Sequence, residues 1–257
     1  MEPSLGVQMF TLRKYTQTED DLKMALGRVR RMGYQSIHIS AFGDIKSPRI
    51  AAICAEHDLL IGGTHVPWDR LRHDLERVID EHLLLNCAHI AVGMIPPKNY
   101  LSMPGLVRFL TEVEPILAKL KLAGIDFGYH HHAHEFLQFD GTPWLQHLFD
   151  APQATDILVE LDTHWLQAGG CDPAVWIERY GQRMSILQLK DFAINDEYQR
   201  IYAPVGEGNM HWDRIIGAAR AHNIQFYFVE QDNCYGANEF DCLQKSYDFL
   251  HQRYGLG

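Results

Sequence analysis

The chain has 257 residues, 46% hydrophobic and 22% charged, which is ordinary globular composition and enough to bury a core without a disulfide or a metal. A net charge of −10 excludes nucleic-acid binding that depends on a broad basic face. No apolar run approaches the roughly 20 residues needed to cross a bilayer, and "MEPSLGVQMF" lacks the basic and apolar regions of a signal peptide. The five cysteines are scattered, odd in number and without a CxxC pair, so they read as reduced thiols and the expected location is the cytoplasm.

In chain order the strand candidates are "LGVQMF", "SIHIS", "LLIGGTHV", "HIAVGM", "IDFGYHH", "ILVELD", "SILQLKD" and "IQFYFVEQD". Helix-length segments separate most of them, including "TEDDLKMALGRVRRMG", "RLRHDLERVIDEHLLLNC", "GLVRFLTEVEPILAKLKLAG" and "DPAVWIERYGQRM". In the first of these, Thr18 can cap, Glu19 to Asp21 put negative charge on the first turn, and Gly33 stops the helix. Leu22, Ala25, Val29 and Met32 fall on one face. Eight strands alternating with helices predict an α/β fold, a (β/α)8 TIM barrel in a single domain spanning 1–257. Neither GxGxxG after the first strand nor GxxxxGK[ST] occurs, which removes the main signature of a nucleotide-binding open sheet.

A barrel of this kind carries its active site at the carboxyl ends of the strands. The polar residues there are Gln8, His38, His65, His130 and His132 with Glu135 following, Glu160 and Asp162, Gln188 and Lys190, and Glu230. Strand side chains alternate faces, so Glu160 shares a face with Asp162, Gln188 with Lys190, and His130 with His132, while His131 points away. Carboxylate, imidazole and amide oxygen converging on one point suit a divalent cation. Each residue also has a structural reading. A strand histidine is often a hydrogen-bonded core residue, Asp162 can cap the turn after its strand, and Glu230 can pair with Lys190.

In order along the chain, "GVQMFTLR", "GTHVPW", "GYHHHAHEF", "VELDTHW", "LQLKD", "VGEGNMHW" and "FVEQD" resemble the sugar phosphate isomerase/epimerase superfamily, the xylose isomerase-like TIM barrels. The resemblance is strongest to a branch with a YHxHxxEF pattern, here Tyr129, His130, His132, Glu135 and Phe136, with Asp162 and Trp165 after the sixth strand. It implies a divalent metal, commonly Mn2+, with Mg2+, Co2+ and Zn2+ as alternatives, bound by one ligand from each of the fifth to eighth strands. The epimerases of that superfamily use Glu, Asp, His and Glu. Asp162 and Glu230 match the second and fourth. Gln188 stands in place of the histidine, and the first glutamate is absent, with His130 in its place by parity and His132 as the alternative.

The chemistry so implied is proton abstraction next to the carbonyl of a sugar or keto sugar, as in an isomerase, an epimerase, or a related dehydratase or lyase. Glu230 would be one base. His130, His132 or a water held by Glu135 would serve the opposite face. Lys190 and His65 would hold hydroxyls or the developing oxyanion. Gln8, His38, Trp68 and Trp165 would bind substrate, the two indoles as sugar platforms. The "VGEGNMHW" loop would shape the site, with Glu207 a surface acid. The alternatives are a catalytically inactive sugar-binding barrel or partner subunit, and an endonuclease IV-like phosphodiesterase. The expected partner is a small sugar rather than nucleic acid or membrane, with self-association into a homo-oligomer left open.

Overall fold

A computed structural model describes residues 3–257. Its eight parallel strands close into a barrel. They are β1 (Ser4–Gln8), β2 (Ser36–Ile39), β3 (Leu60–Val66), β4 (His89–Val92), β5 (Asp126–His130), β6 (Ile157–Asp162), β7 (Ile186–Leu189) and β8 (Phe226–Val229). The ring closes where β1 meets β8, with Val7 opposite Val229. All eight strand candidates read from the sequence are strands. Their apolar parity positions, such as Val159 and Leu161, face the helices and are fully buried.

The helix at Glu19–Met32 follows the sequence grammar. Thr18 Oγ1 accepts the Asp21 N–H, three acids occupy the first turn, and Gly33 closes the helix at φ 111°. Its buried face is Leu22, Ala25, Leu26 and Val29, with Met32 only half-buried. The segment after β3 is two helices, Trp68–His73 and Leu75–Leu85, because Asp74 leaves helical geometry at φ −137°, ψ 29°. Further helices at Ser47–Glu56, Met103–Leu122, Trp144–Asp150, Pro173–Tyr180, Trp212–Arg220 and Glu239–Tyr254 belong to the outer layer. The described cysteines are all free thiols. No helix among the described residues is long and apolar enough to cross a membrane.

Two short antiparallel hairpins decorate the carboxyl end, Gln138–Phe139 with Thr142–Pro143 and Asp191–Ile194 with Arg200–Ala203. Strand register sets the polar layers. Gln8 lies opposite His38, His130 opposite Glu160, and Asp162 opposite Gln188. Polar side chains from different strands are therefore brought to a common height inside the lumen.

Candidate active site

A cleft of about 710 Å³ opens over the carboxyl ends of the strands. One wall is apolar and comes from the loops after β1 to β4, with Phe10, Ile39, Phe42, Val66, Pro67 and Met94. The floor and opposite wall are polar, with Gln8, His65, His130, His132, Lys190, Glu230 and Asp232. Arg70 stands at the rim, already paired with Asp74 and Glu81.

The upper polar layer is built on Lys190, the residue after β7. Its Nζ lies 2.8 Å from Asp232 Oδ1, 3.0 Å from Glu230 Oε2 and 3.5 Å from Asp162 Oδ2. Its backbone is held by Thr163, whose Oγ1 accepts the Lys190 N–H and donates to the Lys190 carbonyl, both at 2.9 Å. Three carboxylates face one buried ammonium, which leaves two negative charges over. Burial pushes the Glu230 carboxyl up to about 8 and Asp162 to about 6; Lys190 opposes both shifts and Asp232 adds to them. Burial acts to lower Lys190, but the three carboxylates outweigh it and raise the ammonium above its ordinary range. One ammonium is shared among three carboxyls in a dry site, so the cost of ionising Glu230 and Asp162 is raised, most of all for Glu230.

Asp162 has a double role. Its Oδ1 accepts the Trp165 N–H and caps Thr163–Ala168, and its own N–H donates to His131 Nε2. Its Oδ2 is buried, and within hydrogen-bond distance it finds no partner among the described residues. The same holds for Gln188 Oε1, His130 Nδ1 and His132 Nδ1. A buried polar atom without a partner costs about 1–3 kcal/mol. Carboxylate, amide and imidazole are donor types that suit a divalent cation, but Asp162 Oδ2 already faces Lys190 Nζ at 3.5 Å, and the donor atoms of His130, Asp162 and Glu230 do not all lie within 4.8 Å of one another. The Gln188 amide is oriented for such a cation. Its Nε2 donates to Glu160 Oε1 at 2.6 Å, which leaves Oε1 as the free acceptor.

The lower layer centres on Glu160. Its Oε1 lies 2.7 Å from His65 Nε2, 3.6 Å from His130 Nδ1 and 3.7 Å from His38 Nε2. Burial alone would raise this carboxyl, but the His65 and His38 imidazoles outweigh it and hold it below the usual range. The nearest donor atoms of His38, His65 and Glu160 lie within 4.8 Å of one another, so this buried cluster could hold a metal ion. His132, His134 and Glu135 form a second such group, but both Glu135 oxygens already accept bonds, from Tyr129 Oη and the His132 N–H.

Several expectations need correction. Trp68 is no sugar platform: it is 2% exposed, packs on Phe109 with ring centroids 5.0 Å apart, and donates from Nε1 to Tyr100 Oη. His38 does not meet substrate either, since it is fully buried and lies below the cleft, edge-on to His65 and Phe228. Glu135 is also fully buried; it fixes the turn that carries His132 and does not reach the cleft. Trp165 is half-buried, with Lys190 Nζ 5.0 Å above its ring, so its face is turned to the ammonium. Gln8 does line the cleft, with Oε1 bound to the Phe10 N–H and Nε2 3.3 Å from His65 Nδ1. His131 points out of the lumen as parity requires, and burial lowers it to about 3, which keeps Nε2 free to accept.

Two residues were not foreseen. Asp232 lies two positions after Glu230, and the same parity argument in "EQD" would have found it. Asp191 organises the "VGEGNMHW" loop, for its carboxylate accepts the N–H groups of Phe192, Gly206, Gly208 and Met210 and the Trp212 indole N–H. Only the tertiary structure shows those donors converging. Glu207 pairs with Lys245 at the surface.

No family model matches the chain, and no curated protein matches it by sequence. Solved structures do. A sugar phosphate isomerase/epimerase from Parabacteroides distasonis superposes with TM-score 0.81 at 22% identity, over 100% of this chain and 96% of that one. An L-ribulose 3-epimerase superposes with TM-score 0.75 at 13% identity, over 97% and 94%. A probable 3-DHS dehydratase from Bacillus anthracis gives TM-score 0.73 at 14% identity, over 98% and 100%. The class defined by the fold is thus a closed eight-stranded (β/α)8 barrel. The structures it superposes on include a sugar phosphate isomerase/epimerase and a xylose isomerase domain protein from Salmonella typhimurium, which share this fold.

Proposed function

We propose that the protein is a divalent-metal-dependent sugar isomerase or epimerase, or a related keto-sugar dehydratase or lyase, that removes a proton next to a carbonyl. The observation that carries this reading is the upper layer: Asp162, Glu230 and Asp232 around the single ammonium of Lys190, with Glu230, Asp232 and Lys190 lining a cleft of about 710 Å³. His130, Asp162, Gln188 and Glu230 would hold the ion, with manganese the first candidate. When bound, the ion supplies Lewis-acid polarisation of a substrate carbonyl and the missing positive charge.

The chain's own residues divide the remaining work. Glu230, at the cleft floor, takes the proton in its ionised form. Lys190 neutralises the carboxylate set and offers a donor to a developing oxyanion. His65 is held by Glu160 through Nε2 and more loosely by Gln8 at Nδ1, so its ring is fixed at the cleft edge, where a substrate hydroxyl that displaces the 3.3 Å Gln8 contact would meet Nδ1. His132 faces the same cleft from β5's end and is placed to serve the opposite side of the substrate. The substrate in this reading is a free sugar, keto sugar or glycoside, and the location is cytoplasmic. Neither nucleic acid nor membrane is a partner, and self-association is open to sedimentation analysis.

The test is metal content and solvent-deuterium wash-in on a panel of ketoses and 3-keto-glycosides, for the untagged wild type and Asp162→Ala. About one Mn, Co or Zn per chain with deuterium incorporation, both lost in the variant, supports the reading. Sugar binding with neither metal nor exchange would replace it with the binding-barrel alternative.

A further inference from the structure

We infer that the lower layer is a second metal site, separate from the upper one, in which His38, His65 and Glu160 hold a zinc-class ion below the cleft floor. The upper layer is rich in carboxylates and suits a hard ion. The lower one offers two imidazoles and one carboxylate, the donor set of a borderline ion such as Zn2+ or Co2+. Donors on one tetrahedral zinc stand roughly 3.4 Å apart. The three here lie within 4.8 Å of one another, so the widest pair would close by roughly 1 Å while His65 Nε2 and Glu160 Oε1, now hydrogen-bonded at 2.7 Å, part by roughly 0.7 Å to admit the ion between them.

Three independent observations point to a ligand. First, His38 is fully buried, and neither of its ring nitrogens finds a hydrogen-bond partner among the described residues, although Nε2 is aimed at Glu160 Oε1 from 3.7 Å. A histidine kept only for packing would be replaceable by an apolar ring at no loss. Second, the backbone makes room for these rings. A Cβ at Gly63 would lie 2.7 Å from the His38 ring, and one at Gly93 would lie 3.0 Å from His65, so a glycine within β3 and one just after β4 leave space that the imidazoles fill. Third, there is a path for an ion. His65 retains 12% side-chain exposure and lines the cleft, so a cation arriving from the cleft meets His65 first and passes to Glu160 and His38 beneath it.

The site is a structural one. It lies under the reacting layer, and Glu160 also holds the Gln188 amide, so an ion there sets the floor on which the upper layer rests. The lower site does not depend on the reaction proposed above, but the count of two equivalents rests on that reading's upper ion.

The experiment uses untagged full-length protein, stripped with chelator and titrated with Co2+, with metal counted per chain and the visible band of four-coordinate cobalt recorded. The wild type is expected to bind two equivalents and show the band. His38→Gln should bind one and lose the band, whereas Asp162→Asn should bind one and keep it. A band that survives in His38→Gln, or one that disappears in Asp162→Asn, would overturn the second site. Should His38→Gln fail to fold by circular dichroism, cobalt-loaded Asp162→Asn decides alone. Two paramagnetically shifted imidazole N–H signals are expected in its proton spectrum, and none would overturn the assignment. Loss of the upper site with retention of the lower one, or the reverse, tells the two readings apart.

Discussion

Glu230 and Glu160 are both buried carboxyls in the lumen of one barrel, yet their acidities are driven in opposite directions. Glu230 shares one ammonium with Asp162 and Asp232, so burial dominates and its carboxyl rises to about 8. Glu160 has His65, His38 and His130 around one oxygen, and the imidazoles outweigh the same burial. Burial alone does not decide whether a carboxyl is ionised; the count of neighbouring donors and acids does. The upper layer is thereby a site that wants cations and can exchange protons. The lower is a set of imidazoles gathered around one carboxylate.

The contrast can be broken most strongly at Glu230. Glu230→Gln removes the proposed base and should lower solvent-deuterium exchange by about 10²–10⁴-fold; exchange within threefold of wild type would remove Glu230 from the chemistry. Lys190→Met leaves three buried carboxylates with no counter-charge and should cost about 3–5 kcal/mol, roughly 10 °C in Tm, in metal-free protein. Added Mn2+ should recover part of that loss, and a Tm indifferent to both changes would mean that the layer is not electrostatically strained. Glu160→Gln should be milder, about 1–3 kcal/mol by urea unfolding, because an amide at that position keeps an oxygen to accept the Gln188 and His65 bonds.

The pH dependence of stability sharpens the same comparison. Burial lowers His38 and His164 to about 4 and His131 and His132 to about 3, against about 6.5 in the unfolded chain. The unfolded state therefore binds more protons below about pH 6.5, and the stability these groups contribute above that pH is lost as pH falls towards 4. Glu230 and Asp162 act in reverse, since their raised values add stability at low pH that is lost as pH rises through about 8 and about 6. The histidines outnumber them, so the net expectation for metal-free protein is a urea midpoint that falls between pH 6.5 and 4; a flat midpoint across that window would contradict it. The smallest effect is expected outside both layers. Trp68→Phe loses one hydrogen bond to Tyr100 and should cost about 1 kcal/mol with kcat/KM unchanged. A large fall in kcat/KM would restore Trp68 to the substrate site.

Strand alternation in "ILVELD", "SILQLKD" and "DFGYHHH" was enough to place Glu160, Asp162, Gln188, Lys190 and His130 inside the lumen and to turn His131 outward. The barrel followed from eight short apolar runs separated by capped helices. These features were legible because side-chain direction along a strand and capping along a helix are local properties of the chain. Depth was not local. His38 and His65 look alike in sequence, but the register of β2 and β3, with a shift at Ile37/His38, puts one below the floor and the other at the cleft. Trp68 was expected to bind substrate and Glu135 to hold a water for the opposite face, and packing turned both inward. The convergence of three acids on Lys190, and of five donors on Asp191, joins loops far apart in the chain. Sequence determined which residues face the lumen; only the closed barrel decided their height in it and which charges share a single dry site, because both depend on strand register and loop placement that no local pattern encodes.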